Sequence, residues 1–282
     1  MKSEFNFKIV YADGRVIDMY EDQNYWVSSC RVQPISFSRT LEKVDGRRGL
    51  IETSTMIESR KINTIIQIDG YDAADFDMTR DAIYALFNPV DEFYIVRDLQ
   101  PGKRYKVKVS NLTGIEYDDG SLEDGEFEVE FEMFQPFAES IGTSLQLQNA
   151  KEWDVGLWQW AQGIDGDTTY QYEFNTNNFI VNNFGNVLID PRENELEITI
   201  KATASSFLEI KNITTGDIYR FNGSLTSGDT LILKGIQTFK NGVSAFGKTN
   251  TKLLSLAVGD NIFTVSGGTL ISAAFNFRPL YY

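Results

Sequence analysis

The sequence predicts a mainly β chain divided into two domains, and three observations carry that reading. Glu126 to Met133 alternates polar and apolar residues without a fault, turn signals recur every 10 to 20 residues through the second half, and one stretch alone has helical periodicity. A length of 282 residues fits two ordinary domains, and 42% hydrophobic with 23% charged residues places the chain among packed proteins rather than disordered ones.

The elements follow in order. Phe5, Phe7 and Ile9 alternate with Asn6 and Lys8, and Asp13-Gly14 separates them from Arg15-Val16-Ile17, which predicts an opening hairpin. In Asp75 to Pro89, Phe76, Arg80 (through its alkyl stem), Ile83 and Phe87 form one stripe, acidic residues fill the first turn and Asn88-Pro89 closes the end; this is the helix. Arg104 to Val109 places Tyr105, Val107 and Val109 on one face and Arg104, Lys106 and Lys108 on the other. Antiparallel to the Glu126–Met133 strand across a loop with Asp118-Asp119-Gly120, it is expected to set Lys106 and Lys108 near Glu128 and Glu130.

Beyond Pro136 the charge density falls and Asn, Gly, Ser and Thr rise, so the boundary is expected after residue 139, with 1–139 and 140–282 as domains and 140–180 partly linker. In the second half Leu196-Ile198-Ile200, Leu208-Ile210, Leu231-Leu233, Ile262-Thr264 and Ile271-Ala273-Phe275 read as strand faces. Separated by turns such as Asp190-Pro191, Lys240-Asn241-Gly242 and Ser266-Gly267-Gly268, they predict an antiparallel sandwich.

Composition excludes much chemistry. With no histidine, Ser-His-Asp and Cys-His catalysis and His-ligated zinc or haem are ruled out. One cysteine, Cys30, permits neither an intrachain disulfide nor a thiolate cluster, and is expected to be a buried apolar residue. A net charge of -14 argues against gripping duplex DNA through phosphates. The charge is uneven, with 16 basic and 27 acidic residues in 1–139 against 10 and 13 in 140–282. No apolar run is long enough to span a membrane, and Met1 to Asn6 has no signal-peptide core, so neither insertion nor secretion is expected.

Trp153, Trp158 and Trp160 are candidate docking aromatics, as anchors of a domain or subunit contact or, alternatively, as a sugar platform. Asp165-Gly166-Asp167 lacks the continuation of a calcium loop and reads as a turn. Asn111-Leu112-Thr113, Asn212-Ile213-Thr214 and Asn222-Gly223-Ser224 match the glycosylation pattern, which has no meaning without secretion. Forty acidic residues leave room for a histidine-free glycosidase pair, but nothing marks one, and neither a phosphate loop nor a dinucleotide fingerprint is present. The residues point to a binding or structural protein, not an enzyme, with no cofactor and no metal. The stretch from Glu42 to Ser59, carrying Arg47, Arg48, Leu50 and Ile51, is long for a loop in a compact domain and is expected to be an arm reaching a neighbouring subunit.

The ordered segments resemble the distal tail protein family of phages with long, flexible, non-contractile tails. In the first half the resemblance rests on Val44-Asp45-Gly46 leading to Arg60-Lys61-Ile62, on Arg80 to Phe87, and on Phe134-Gln135-Pro136-Phe137-Ala138. In the second half it rests on Ile210 to Gly216, Ser227 to Leu233, Asn241-Gly242 and Leu256 to Ile262. The stretch 140–180 has no counterpart. The resemblance implies a ring, typically a hexamer, at the distal end of the virion tail, made in the host cytoplasm. Its N-terminal domains would close a channel and its C-terminal galectin-like sandwiches would decorate the outside. Implied partners are the tail tube protein and the tail-associated lysin or tip and receptor-binding proteins, with DNA only as cargo through the lumen. The alternative class is a carbohydrate-binding adhesin or receptor-binding module.

Overall fold

The computed structural model describes residues 2–115, 124–150, 154, 156–159, 162–165 and 169–282. The chain forms two compact units, Met1–Ala138 with Tyr282, and Glu139–Tyr281. Both are predominantly antiparallel β-structure.

Unit 1 contains β1 (Phe7–Val10), β2 (Val16–Asp18), β3 (Trp26–Glu42), β4 (Ile51–Asp69), α1 (Ala73–Leu86), β5 (Phe93–Arg97), β6 (Lys103–Leu112) and β7 (Asp124–Met133). The strand order is β2-β1-β5-β6-β7-β4-β3. Gly14, at φ +88°, makes the β1–β2 turn where Asp13-Gly14 predicts it. The sheet curls around an aromatic core: the Phe131 ring of β7 lies 6.0 Å from Phe7 of β1, 6.0 Å from Phe93 of β5 and 5.8 Å from Phe87. α1 closes this core with the predicted stripe, burying Phe76, Ile83 and Phe87. Asp72 caps it by accepting from the amides of Ala74 and Asp75, and Arg80 pairs with Asp77 at 2.8 Å.

β7 behaves as its alternation predicts, with Phe127, Val129, Phe131 and Met133 buried. Its partners differ from expectation. β6 pairs β7 with Lys108 opposite Glu132 and a register shift at Val109/Asn111, so Lys106 and Lys108 do not meet Glu128 and Glu130. Lys106 instead bonds Glu92 at 2.8 Å, and Glu130 takes Lys61 of β4, also at 2.8 Å. β7 has a neighbour on each side, and alternation alone does not say which one supplies the cation. The Asp118-Asp119-Gly120 loop lies outside the described residues.

Unit 2 takes in most of β8 (Ala138–Ser140) and then α2 (Ser144–Asn149), β9 (Glu173–Phe174), β10 (Asn178–Asn183), β11 (Leu196–Asn212), β12 (Ile218–Asn222), β13 (Leu231–Lys234), β14 (Gln237–Lys240), β15 (Val243–Ser244), β16 (Gly259–Phe277) and β17 (Leu280–Tyr281). α2, unanticipated, begins in a capping box: Thr143 accepts from the Gln146 amide while the Gln146 side chain accepts from the Thr143 amide.

β11 and β16 are single long strands, where the sequence suggests two apiece, and each bends at a bulge between Ala204 and Glu209 of β11. The first half of β11 pairs β13 and the second half pairs β12. The bend folds the halves face to face, so Phe263 and Phe275 of the same strand meet at 5.1 Å and the Tyr219 hydroxyl of β12 lies 3.3 Å from Thr238 of β14. Ser266-Gly267-Gly268 is therefore a strand bend, not a turn. Gly267 sits at φ +74°, and a Cβ on it would stand 2.6 Å from the Phe207 carbonyl oxygen. The bulges also rotate the buried face: Phe263 and Leu270 point inward while Ile262 and Ile271, predicted inward, are exposed.

Candidate functional site: a two-stranded arm

β3 and β4 are 17 and 19 residues long, well beyond the usual strand. β7 pairs β4 only from Arg60, opposite Met133, to Asp69. From Ile51 to Ser59, β4 has, among the described residues, only β3 beside it, forming a ribbon about 30 Å long at the usual rise per residue. The register places Phe37 opposite Ile57, Ser38 opposite Met56, Arg39 opposite Thr55 and Thr40 opposite Ser54, then shifts so that Leu41 faces Glu52 and Glu42 faces Ile51. Opposite residues share a face, so Phe37, Ile57 and Leu41 form one side with Arg39 between them. Ser38, Thr40 and Ser54 lie on the other side with Met56.

The ribbon leaves apolar surface in solvent. Phe37 is 57% exposed, Met56 64% and Ile57 52%, with Leu41, Val44 and Leu50 also exposed. Its internal bonds are peripheral: Arg39 lies over the Phe37 ring at 4.8 Å and 4.0 Å from Glu52, and the Thr53 hydroxyl donates to the Thr40 carbonyl at 3.1 Å. The tip, residues 43–50, turns through Gly46 and Gly49, both at positive φ, and the Arg47 amide donates to Val44.

The interface candidates Arg47, Arg48, Leu50 and Ile51 thus come together at the tip, the first three exposed and Ile51 half-buried. Ile51 to Ser59 is strand rather than loop. The sequence reading missed the apolar side, Phe37, Leu41 and Ile57; Ile35 and Phe37 alternate with serines before Asp45-Gly46, but the adjacent pairs Leu50-Ile51 and Met56-Ile57 after it carry no strand period.

The docking aromatics fare differently. Trp158 is 1% exposed, packed in the unit 2 core 5.9 Å from Phe184 and covered by Gly142, whose hydrogen side lies on the indole. It is a core residue and presents no face for docking or sugar stacking. Trp153 and Trp160 lie outside the described residues, as does most of Asp165-Gly166-Asp167. Asn212 is wholly buried and its amide donates to Ser255 and Asn261, so its glycosylation pattern is a structural coincidence. Cys30 is 1% exposed, and burial pushes its thiol up to about 11 against a smaller opposing pull from Arg97, which leaves it unreactive. No helix among the described residues is long and apolar enough to cross a membrane.

Comparison with known proteins locates this architecture. Residues 14–133, within unit 1, match the family of phage tail protein RIFT-related domains. No curated protein sequence matches the chain. Among solved structures, the Dit protein of phage SPP1, described as a paradigm of the hub adsorption apparatus in phages infecting Gram-positive bacteria, aligns with a TM-score of 0.68 at 12% identity, covering 96% of this chain and 98% of that one. A chain of the phage P2 baseplate in its activated conformation aligns at 9% identity over 97% of each chain, with a TM-score of 0.45. Unit 1 thus carries a phage tail protein RIFT-related domain, and the chain shares the fold of the SPP1 Dit protein over nearly its whole length.

Proposed function

We propose that the protein is a structural component of the distal phage tail, whose copies close into a ring, typically a hexamer, joining the tail tube to the baseplate or tip. Residues 1–139 form the ring domain and residues 140–282 a galectin-like sandwich on the outside. The tail tube protein lies above and the tail-associated lysin, tip or receptor-binding proteins below. DNA passes as cargo, and the acidic surplus of the ring domain keeps phosphate from adhering to the channel wall. The protein works by assembly, not catalysis.

The observation that carries this reading is the arm. A tail-protein domain extends a ribbon whose Phe37, Leu41 and Ile57 each leave half or more of their surface in solvent. A two-stranded ribbon is at best marginal alone in water, and an exposed apolar side of this kind is what a subunit contact covers. The expected seat is the next copy in the ring, since a head-to-tail contact repeated by rotation closes a ring.

The test is solution mass by light scattering with negative-stain imaging, on the wild type and on a variant in which Ser38 to Met56 is replaced by Asn-Gly. That splice joins Phe37 and Ile57, which already face each other, so the base of the hairpin is kept. Rings of about six chains in the wild type, and folded monomers in the variant, are expected. Unchanged rings in the variant would refute the arm's role.

A further inference from the structure

Where the arm leaves the sheet, two guanidinium groups sit without a carboxylate. Arg60, the first residue of β4 that pairs with β7, donates from Nε to the Gln33 carbonyl at 2.7 Å, and its Nη1 is buried with no acceptor. Arg97, at the end of β5, has a buried Nε that also lacks an acceptor. Tyr105 of β6 interacts with both, while its hydroxyl bonds Gln100 at 2.9 Å. Lys103 is a third cation nearby; burial and then the Arg60 charge lower its pKa. Neither Arg60 nor Arg97 has an ion-pair partner among the described residues, in a chain with 40 acidic side chains.

The Arg97 side chain hydrogen-bonds Cys30 and Tyr105, both neutral, so neither guanidinium meets an opposite charge among the described residues. A half-buried guanidinium loses hydration, and an acidic protein has ample carboxylates with which to restore it. Around Arg60 burial wins over every favourable charge, and its pKa is lowered. An oxyanion supplied from outside would meet two planar donor groups suited to carboxylate or phosphate. A net charge of -14 opposes a polyanionic nucleic acid and makes the chain's own copies the ready source of carboxylates. The seat also lies at the root of the arm, beside the surface that the ring reading assigns to a neighbour.

We propose that Arg60 and Arg97 form an oxyanion seat at the root of the arm, occupied by a carboxylate of a second copy of this chain. The proposal rests on the self-assembly reading and names the chemistry of that contact. Arg60→Met and Arg97→Met remove the charges and keep apolar stems. Light scattering over a concentration series, at fixed salt, should show the dissociation constant between copies raised about tenfold or more in each variant. Thermal melts of the dissociated chain should show stability kept or increased, because an uncompensated half-buried charge is gone; a residue serving only to brace the fold would lower it. Arg60→Glu should abolish association, and scanning the acidic residues of unit 1 to lysine in that background should find one that restores it.

Variants that associate as tightly as the wild type would overturn the seat while leaving the ring intact. Loss of assembly on arm truncation, with Arg60→Met unaffected, would localise the contact to the ribbon and likewise overturn the seat. A wild type that stays monomeric with or without the arm would overturn the ring reading and the seat together. Binding of a short DNA duplex by the wild type, lost in Arg60→Met, would assign the seat to phosphate and overturn the carboxylate.

Discussion

Substituting Gly267 by alanine tests whether the strand bend, and with it the folding over of unit 2, depends on a close backbone approach. Gly267 lies at φ +74°, where a Cβ is disfavoured, and that Cβ would stand 2.6 Å from the Phe207 carbonyl oxygen and 2.5 Å from a carbon of its ring. Gly242 supplies the control: its φ is +79°, yet nothing lies within 4 Å of the position a Cβ would take. Left-handed backbone costs alanine about 1 kcal/mol, partly offset through the unfolded chain. Forcing an atom into a filled site adds about 1–3 kcal/mol, because Phe207 and the facing strand must shift. Gly242→Ala should therefore cost about 0.5–1 kcal/mol and Gly267→Ala about 2–4 kcal/mol. For a unit of this size that corresponds to a drop in melting temperature of about 2–4 °C against about 6–15 °C. Urea unfolding followed by near-ultraviolet circular dichroism measures both, with an unchanged m-value expected. Equal losses in the two variants would refute the argument, since they share the dihedral penalty and differ only in the contact.

Other expectations follow from the same geometry. Phe131→Ala, which deletes a fully buried ring touching Phe7, Phe87 and Phe93, should cost unit 1 about 3–5 kcal/mol in a denaturant titration, and a loss under 1 kcal/mol would refute its central place. Asp18 is buried, which alone would raise its pKa, but hydrogen bonds from Lys2, Glu21, Asn6 and Tyr20 outweigh this and lower it. A lowered carboxylate stabilises the fold above its unfolded pKa and ceases to do so as pH falls through the folded value. Asp18→Asn should therefore be less stable than wild type at pH 7, with the gap closing below about pH 4, and a gap independent of pH would contradict the ionised form. Cys30 should resist a thiol reagent at pH 8 in the folded chain and react on unfolding; rapid labelling of the native protein would show the site to be open.

Legibility differed between units for a physical reason. β7 and α1 were readable because each has one wet and one dry side, so burial imprints a period on the residues: Phe127, Val129 and Phe131 in the first, Phe76, Ile83 and Phe87 in the second. β11 and β16 were read as pairs of shorter strands because a bulge changes which parity points inward, and Gly267-Gly268 inside a strand carries the same signature as a turn. The arm's position was legible as an overlong stretch with basic and apolar residues, but its strands were not. A ribbon wet on both sides has no dry face to impose a period, and only the cross-strand partners reveal Phe37 beside Ile57. Trp158 was misassigned for the opposite reason. Tryptophans close in sequence suggest a shared surface, whereas the fold buries this one beneath Gly142.

The placement of unsatisfied groups connects these observations to assembly. Inside each unit the large aromatics are in contact with one another, and buried amides such as Asn212 and Asn183 reach backbone carbonyls. These interactions are made within each unit, where the buried polar atoms without a partner include Ser28 Oγ and Trp158 Nε1, both of neutral side chains. The arm and its root are different. The ribbon exposes apolar side chains on a pair of strands that cannot bury them, and the root holds guanidinium groups without carboxylates. Removing either feature should thus weaken association more than it weakens the fold. That ordering distinguishes a surface kept for contact from one kept for stability, because a residue that braces the monomer would show the reverse. The long-range charge acts against both contacts: copies bearing -14 repel each other at low salt, so the apolar side of the arm must supply the attraction that persists when salt screens the rest.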